Sequence, residues 1–334
     1  MAAVTFPMER RDFLVGLSAA GVLAMLDPAY LAARDALQSG ARPADPVPRR
    51  PYGRATDTLS LIGFGGIVVK DVTPADAARY VAEAFDRGVT YFDVAPTYGN
   101  AQERLGPALK PHRKSCFLAC KTTERDAAGA RREMEESLRL LQTDHFDLYQ
   151  LHAITTVADV ERAFALGGAM QTILEARKAG KVRYVGFSAH SEEAAHAAMD
   201  RYDFDSVLFP LSAPTWIKGH FGPSVHRRAT EAKRAVLALK AMAYQKRSNG
   251  ASTEARRWAK TWYDPLDTVD RASLALRFTA HLPVHAMIPP GHWELFDMAV
   301  SLAQAGALTP LNEKERQLVE ALAQSSDPLF VSHA

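Results

Sequence analysis

Short apolar runs recur along the chain near Leu61, Val89, Cys116, Phe146, Val182, Asp205, Ala235 and Val284, and most of the stretches between them carry apolar residues at helical spacing. Runs of four to eight apolar residues bounded by turn residues read as strands buried on both faces. Helices are expected over 74–86, 100–109, 127–141, 157–179, 191–201, 225–233, 269–281 and 292–304, with a further helix over 313–324 outside the repeating part. Strand and helix alternating at near-regular spacing predict repeated β-α units. Such strands need cover on both faces, so the expected closure is an α/β fold of the (β/α)8 or TIM barrel type, with a doubly wound open sheet as the alternative.

Three of the runs end on residues that are costly to bury. VTYFD (89–93) ends on Asp93, Pro96 forbids its continuation, and Tyr98 falls in the loop before the next helix. SCFLACK ends on Lys121 and FDLYQLH on His152. Singly, Asp93 reads as a helix cap, Lys121 as a side chain reaching solvent, His152 as a hydrogen-bonded core residue and Tyr98 as loop packing. Together they stand at the same ends of three successive strands, which converge if those strands are neighbours in a parallel barrel. Strand alternation then turns Phe117, Ala119 and Lys121 into the barrel and Cys116 and Cys120 toward the helices.

Five segments, in this order, carry a resemblance to a known family: RRPYGRATDTLSLIGFGG (49–66), FDVAPTYGNAQERLG (92–106), FLACKT (117–122), LQTDHFDLYQLH (141–152) and GKVRYVGFSAH (180–190). The sequence resembles the aldo-keto reductases across nearly all of the chain after Arg49. That resemblance implies reduction of an aldehyde or ketone with hydride from NADPH, NADH being the alternative, since no side chain delivers a hydride. It implies Tyr98 as general acid, with Lys121, Asp93 and His152 tuning it. A phenol titrates near pH 10 and a nearby ammonium favours its ionised form, so the grouping makes chemical sense.

The resemblance also implies cofactor contacts. Gly65, Gly66 and Ile67 would lie near the nicotinamide, Ser188 would meet its carboxamide, and Pro289 and Gly291 would keep the turn before the last helix. Ala189 stands where an Asn is usual, Leu208 where a Gln is usual, and Leu239 where an aromatic ring stacks, followed by Lys240. Phe296 stands about where an Arg meets the adenosine phosphate, and no Arg or Lys lies between Pro289 and Gln304. Weak discrimination between NADPH and NADH is therefore expected, unless Lys246, Arg247, Arg256, Arg257 or Lys260 of the long 244–267 loop folds over the adenosine. Trp258, Trp262 and Tyr263 of that loop, and Trp216, are candidate walls of a substrate pocket. A non-catalytic nucleotide-binding or scaffolding barrel is the alternative function.

Composition narrows the rest. With 40 basic and 38 acidic residues the net charge is +2, and no helix or tail concentrates the basic ones, so nucleic acid is not an expected partner. The two cysteines would lie roughly 13 Å apart along one strand, beyond disulfide reach. No metal-ligand spacing occurs among the 11 histidines. Residues 1–48 differ in character from the barrel expected over 49–334. Arg10 and Arg11 precede an uncharged run over 13–26, shorter than the roughly 20 residues that span a bilayer. This reads as a twin-arginine export signal followed by a Pro-rich linker, with a periplasmic destination expected and a cytoplasmic one as the alternative. If uncleaved, the segment would tether the protein to the membrane; nothing in the sequence fixes the oligomeric state or the individual substrate.

Overall fold

The computed structural model describes position 35 and residues 45–247 and 257–332. The expected export segment, with Arg10 and Arg11, lies outside the described residues, as does Arg256. An antiparallel pair, β1 (Arg49–Pro51) and β2 (Thr58–Ser60), precedes the barrel. Between them Tyr52, 1% exposed, plugs the entry end with its ring 5.0 Å from those of Phe117 and Tyr184.

Eight parallel strands follow: β3 (Phe64–Gly65), β4 (Tyr91–Asp93), β5 (Phe117–Thr122), β6 (Phe146–Ile154), β7 (Val182–Ala189), β8 (Ser206–Pro210), β9 (Ala235–Leu239) and, after a hairpin of β10 (Ala243–Lys246) and β11 (Tyr263–Pro265), β12 (Ala286–Ile288). They neighbour one another in that order. Residues 61–63 close the ring on β12, with Met287 N donating to Leu61 O at 2.7 Å and Gly63 N to Met287 O at 2.8 Å. A Cβ on Gly63 would stand 2.5 Å from Tyr91 Cδ1, so this seam admits no side chain at that position. Closure removes both sheet edges, and the barrel is a (β/α)8 barrel.

Ten α-helices are described: α1 (Pro74–Asp86), α2 (Ala101–Leu109), α3 (Ala127–Leu140), α4 (Val157–Phe164), α5 (Ala169–Lys178), α6 (Glu192–Arg201), α7 (Pro223–Glu231), α8 (Val269–Ala280), α9 (Trp293–Gln304) and α10 (Glu313–Gln324). Where the spacing of apolar residues predicts one helix over 157–179, there are two. Gly167 takes φ 75°, and a Cβ on Gly168 would stand 2.4 Å from Ala163 O, so the chain breaks and restarts at the glycine pair. The 244–267 segment, expected as loop, contains the β10–β11 hairpin.

Two large apolar clusters fill the molecule, with a small third of Ala243, Tyr263 and Leu329 at the hairpin. The outer one packs helices on strands and holds Cys116, Leu118 and Cys120; the inner one fills the barrel and holds Tyr91, Phe117, Ala119, Leu148, Leu208 and Leu237. The alternation expected for β5 is thus the one observed, and both cysteines are free thiols, with burial pushing that of Cys116 up to about 12 and that of Cys120 up to about 11. Among the described residues no helix is long and apolar enough to cross a membrane.

The C-terminal helix is tied in by a buried ion pair. Arg277 of α8 bonds both carboxylate oxygens of Glu315 in α10, at 2.6 and 2.7 Å, and donates to Thr309 O and Pro310 O. Beyond α10 the tail runs back across the barrel mouth, where Ser332 N donates to Gly219 O at 2.8 Å. This route places Phe330 against His190, 5.3 Å between ring centres.

Candidate active site

The inward alternation that buries Tyr91 and Phe117 continues one step further along each strand and delivers polar residues to the C-terminal mouth. Tyr91 leads to Asp93, Ala119 to Lys121, and Gln150 to His152. Asp93 and Lys121 form an ion pair whose side chains are only 2% and 1% exposed. Charges this dry need further partners, and both have them. Tyr91 Oη and Gln150 Nε2 each donate to Asp93 Oδ2 at 3.2 Å, and Lys121 Nζ also donates to Val94 O at 3.3 Å. Burial alone would lower the Lys121 pKa, but Asp93, with Tyr98 adding to it, raises it above the ordinary lysine value.

Tyr98 projects from the loop between β4 and α2. The Lys121 ammonium stands 5.3 Å from the centre of its ring, and the His152 ring meets it edge to face at 5.8 Å. Burial raises the Tyr98 pKa above the phenol value, Lys121 pulls it back down, and Asp93 adds a smaller upward push. His152 goes the other way: burial, then the nearby Lys121, His190, Arg125 and Lys240, lower it to about 3. The ring is neutral through the physiological range. Its Nδ1 is buried without a partner, which leaves Nε2 as the nitrogen open to the cavity.

His152 is presented by an irregularity in β6. The register with β7 shifts between Leu151 and Ile154, and Ala153 sits at φ 51°, a conformation costing an L-residue roughly 1–2 kcal/mol. Two bonds hold it: Ala153 N donates to Ser188 Oγ at 2.7 Å, and Arg125 Nη2 donates to the His152 carbonyl at 2.7 Å. Ser188 Oγ is engaged as an acceptor, so its own proton remains available to a ligand.

Asp93, Tyr98, Lys121, His152 and Ser188 line one cavity of about 320 Å³ with Gly65, Ile67, Lys240, Pro289 and Gly291. A Cβ on Gly291 would stand 2.3 Å from Ile67 Cγ2, so the 289–291 turn lies directly on the 65–67 turn. Two of the residues expected near the cofactor are not among the lining: Gly66 packs its Cα against Val94, and Ala189 is buried in the outer cluster. Leu208 and Leu239 do line it, so the places of the usual Gln and aromatic ring are held by apolar side chains. Phe296 is 1% exposed and packs on Phe64, ring centres 5.0 Å apart, as a core residue.

The 257–265 segment forms the far wall. Trp262 and Tyr263 line the cavity, whereas Trp258 donates its indole N–H to Asp267 at 2.9 Å and Trp216 packs on His226 and Phe278. Of the loop cations, Lys246, Arg247 and Arg257 pair with Asp327, Asp264 and Asp267. Lys260 reaches across the mouth instead, donating from Nζ to Val68 O at 3.0 Å while its backbone N–H meets His292 Nε2 at 2.9 Å. Sequence reasoning passed over Tyr91 and Gln150, although each sits one alternation step from a residue it did single out; His190, which the sequence suggests is a surface helix residue, instead precedes α6 and lines the cavity. A larger hollow of about 1030 Å³, lined by Arg49, Asp57, Cys116 and Asp147 among others, lies at the opposite end of the barrel, far from this chemistry. Among the described residues no group of His, Cys, Asp and Glu is arranged to hold a metal ion.

Residues 61–213 match the sequence pattern of the Aldo/keto reductase family. Aldo-keto reductase YhdN of Bacillus subtilis is 35% identical over 170 residues, 47% of this chain and 48% of that protein. Aldo-keto reductase yakc of Schizosaccharomyces pombe, whose name specifies NADP(+), is 28% identical over 187 residues, 50% of this chain and 51% of that protein. The chain spans about half the length of the curated relatives it matches. In fold it is similar to an aldo-keto reductase of Bacillus halodurans solved in its holo form, with a TM-score of 0.64 over 86% of this chain and 98% of that one at 22% identity. The matched segment contains Asp93, Tyr98, Lys121, His152 and Ser188, so this part of the chain is similar to the Aldo/keto reductase family, on a barrel of the same fold.

Proposed function

We propose that the protein reduces an aldehyde or ketone to the alcohol with NADPH, and that Tyr98 is the proton donor. The observation that carries this reading is the buried Asp93–Lys121 pair directed at a phenol beside a neutral histidine. A scaffold has no need of it, and a buried ion pair gains little stability over an apolar replacement. Reduced nicotinamide, when bound, supplies the hydride. Ser188 has a free hydroxyl proton for its carboxamide, and the close contact of Gly291 with Ile67 shapes the turn on which the dinucleotide would lie. Phe296 is a core residue where an Arg would meet the adenosine phosphate, and Lys260 Nζ is engaged by Val68 O, so the preference for NADPH over NADH is expected to be weak.

The carbonyl oxygen gains electron density as hydride arrives at carbon, and it needs donors in place beforehand. His152, neutral and open at Nε2, donates to that oxygen without carrying charge into the cavity. Tyr98, its pKa above that of a free phenol, holds its proton at neutral pH and transfers it to the forming alkoxide. Lys121 stabilises the phenolate that remains, and Asp93 keeps Lys121 charged and in position. In the alternative reading the barrel binds nucleotide without turnover, which the apolar Leu208 and Leu239 would favour. The N-terminal segment is proposed to export the protein by the twin-arginine route.

Three outcomes are expected. Tyr98→Phe should lower kcat for carbonyl reduction about 10²–10⁴-fold, the usual worth of acid catalysis, with dinucleotide affinity retained; activity within about tenfold of the wild type would contradict the role given to Tyr98. In proton NMR, the His152 and His190 rings should show no titration between pH 5 and 8, because burial lowers both to about 3. The unfolded chain takes up a proton on each ring near pH 6.5, so stability is expected to fall as pH drops from about 6.5 toward 3. Replacing Arg10 and Arg11 by Lys should retain a tagged protein in the cytosol, and unchanged fractionation would overturn export.

A further inference from the structure

Lys240 follows β9 at φ 64° and lines the reaction cavity. Its Nζ stands 3.4 Å from His190 Nε2, 5.8 Å from the centre of the Trp262 ring and 5.7 Å from that of Phe330. The aromatic faces stabilise a cation but accept none of its three N–H bonds, and one imidazole nitrogen accepts at most one. The other lysines of the cavity are provided for: Lys121 has Asp93, and Lys260 has Val68 O. Among the described residues no carboxylate pairs with Lys240. Burial lowers its pKa to about 8, which leaves it mostly charged at neutral pH.

The location of this ammonium indicates what it faces. His190 N donates to Ile154 O at 2.9 Å, which binds the His190 segment to the strand end that presents His152. His190 and Lys240 both stand close enough to the His152 ring to depress its basicity. Lys240 therefore stands between the His190 wall beside the carbonyl-facing histidine and, through the pairing of Leu239 with Ile288, the Pro289–Gly291 turn where the dinucleotide would lie.

We propose that Lys240 forms an oxyanion subsite of the reaction cavity, so that the preferred carbonyl substrate carries a carboxylate or a similar anionic group. Trp262 and His190 are the flat walls on which the body of such a substrate packs, with Phe330 against both. This rests on the reductase reading above and adds the substrate class. It also reassigns Lys240, which the family resemblance alone would give to the cofactor.

The test uses the full chain as wild type, Lys240→Met and Lys240→Arg. With saturating NADPH, kcat/KM is measured for 4-carboxybenzaldehyde and benzaldehyde, and the affinity for NADPH is measured in parallel. The wild type should prefer the carboxylated aldehyde by at least about tenfold, the low end for a hydrogen bond to a charged group, and Lys240→Met should abolish that preference while Lys240→Arg keeps most of it. Calorimetry of the wild type with NADP+ should likewise show 4-(hydroxymethyl)benzoate binding at least about tenfold more tightly than benzyl alcohol. No preference in the wild type, or a preference that survives in Lys240→Met, overturns the subsite. A Lys240→Met change confined to NADPH affinity also overturns it and returns the residue to the cofactor. If the wild type reduces neither aldehyde, the reductase reading fails, and the calorimetric comparison still decides the subsite.

Discussion

The C-terminal mouth of this barrel depends on one ion pair. Asp93 and Lys121 are almost completely withdrawn from water, and removing one partner of such a pair costs about 3–5 kcal/mol because the other charge is left bare. That cost explains the supporting cast. Tyr91 and Gln150 occupy the layer below and give the carboxylate its remaining hydrogen bonds, while Val94 O takes a further proton of the ammonium. The pair in turn sets the potential felt by Tyr98, which burial pushes toward its protonated form and Lys121 pulls back.

Everything else about the mouth follows from holding groups around that pair. The parallel register sets Lys121 opposite Gln150, and the bulge after His152 is kept by Ser188 and Arg125 at a backbone angle that an alanine adopts only under constraint. Residues distant in the chain complete the cavity. The β10–β11 hairpin brings Trp262, the seam at 61–63 fixes the first turn, and the Arg277–Glu315 pair anchors the helix whose tail returns Phe330 to the mouth. One cavity thus holds three ammonium groups with different provision, Lys121 neutralised by its neighbour, Lys260 bonded to Val68 O and Lys240 surrounded by rings.

The sequence made the barrel legible because each strand is a short apolar run and each helix has its own period. It made Asp93, Lys121 and His152 legible because they are polar endings on apolar strands, and Tyr98 because it follows Asp93 in the loop. The supports were harder to see. Tyr91 and Gln150 look like ordinary strand residues until alternation is counted back from Asp93 and His152. Local pattern also merged α4 and α5, since the break is a backbone matter of Gly167 and Gly168 rather than a change in hydrophobicity. Phe330 and Lys260 reach the site by tertiary routes of the kind that no local periodicity records. The positions where the family's usual Gln and aromatic ring give way to Leu208 and Leu239 were visible as departures, and their presence in the cavity shows that the departure lies in the site itself.

The state of Lys121 is the most direct test of this account. Carbon-13 NMR of labelled lysines in the wild type and in Asp93→Asn would follow its titration. In the wild type the ammonium should stay protonated beyond the ordinary lysine value of 10.5, because the attraction of Asp93 outweighs burial. In Asp93→Asn burial acts almost alone, and the titration should move clearly below that value. The same titration in both proteins would mean that the pair does not govern the charge beside Tyr98, and the mechanism built on it would fail.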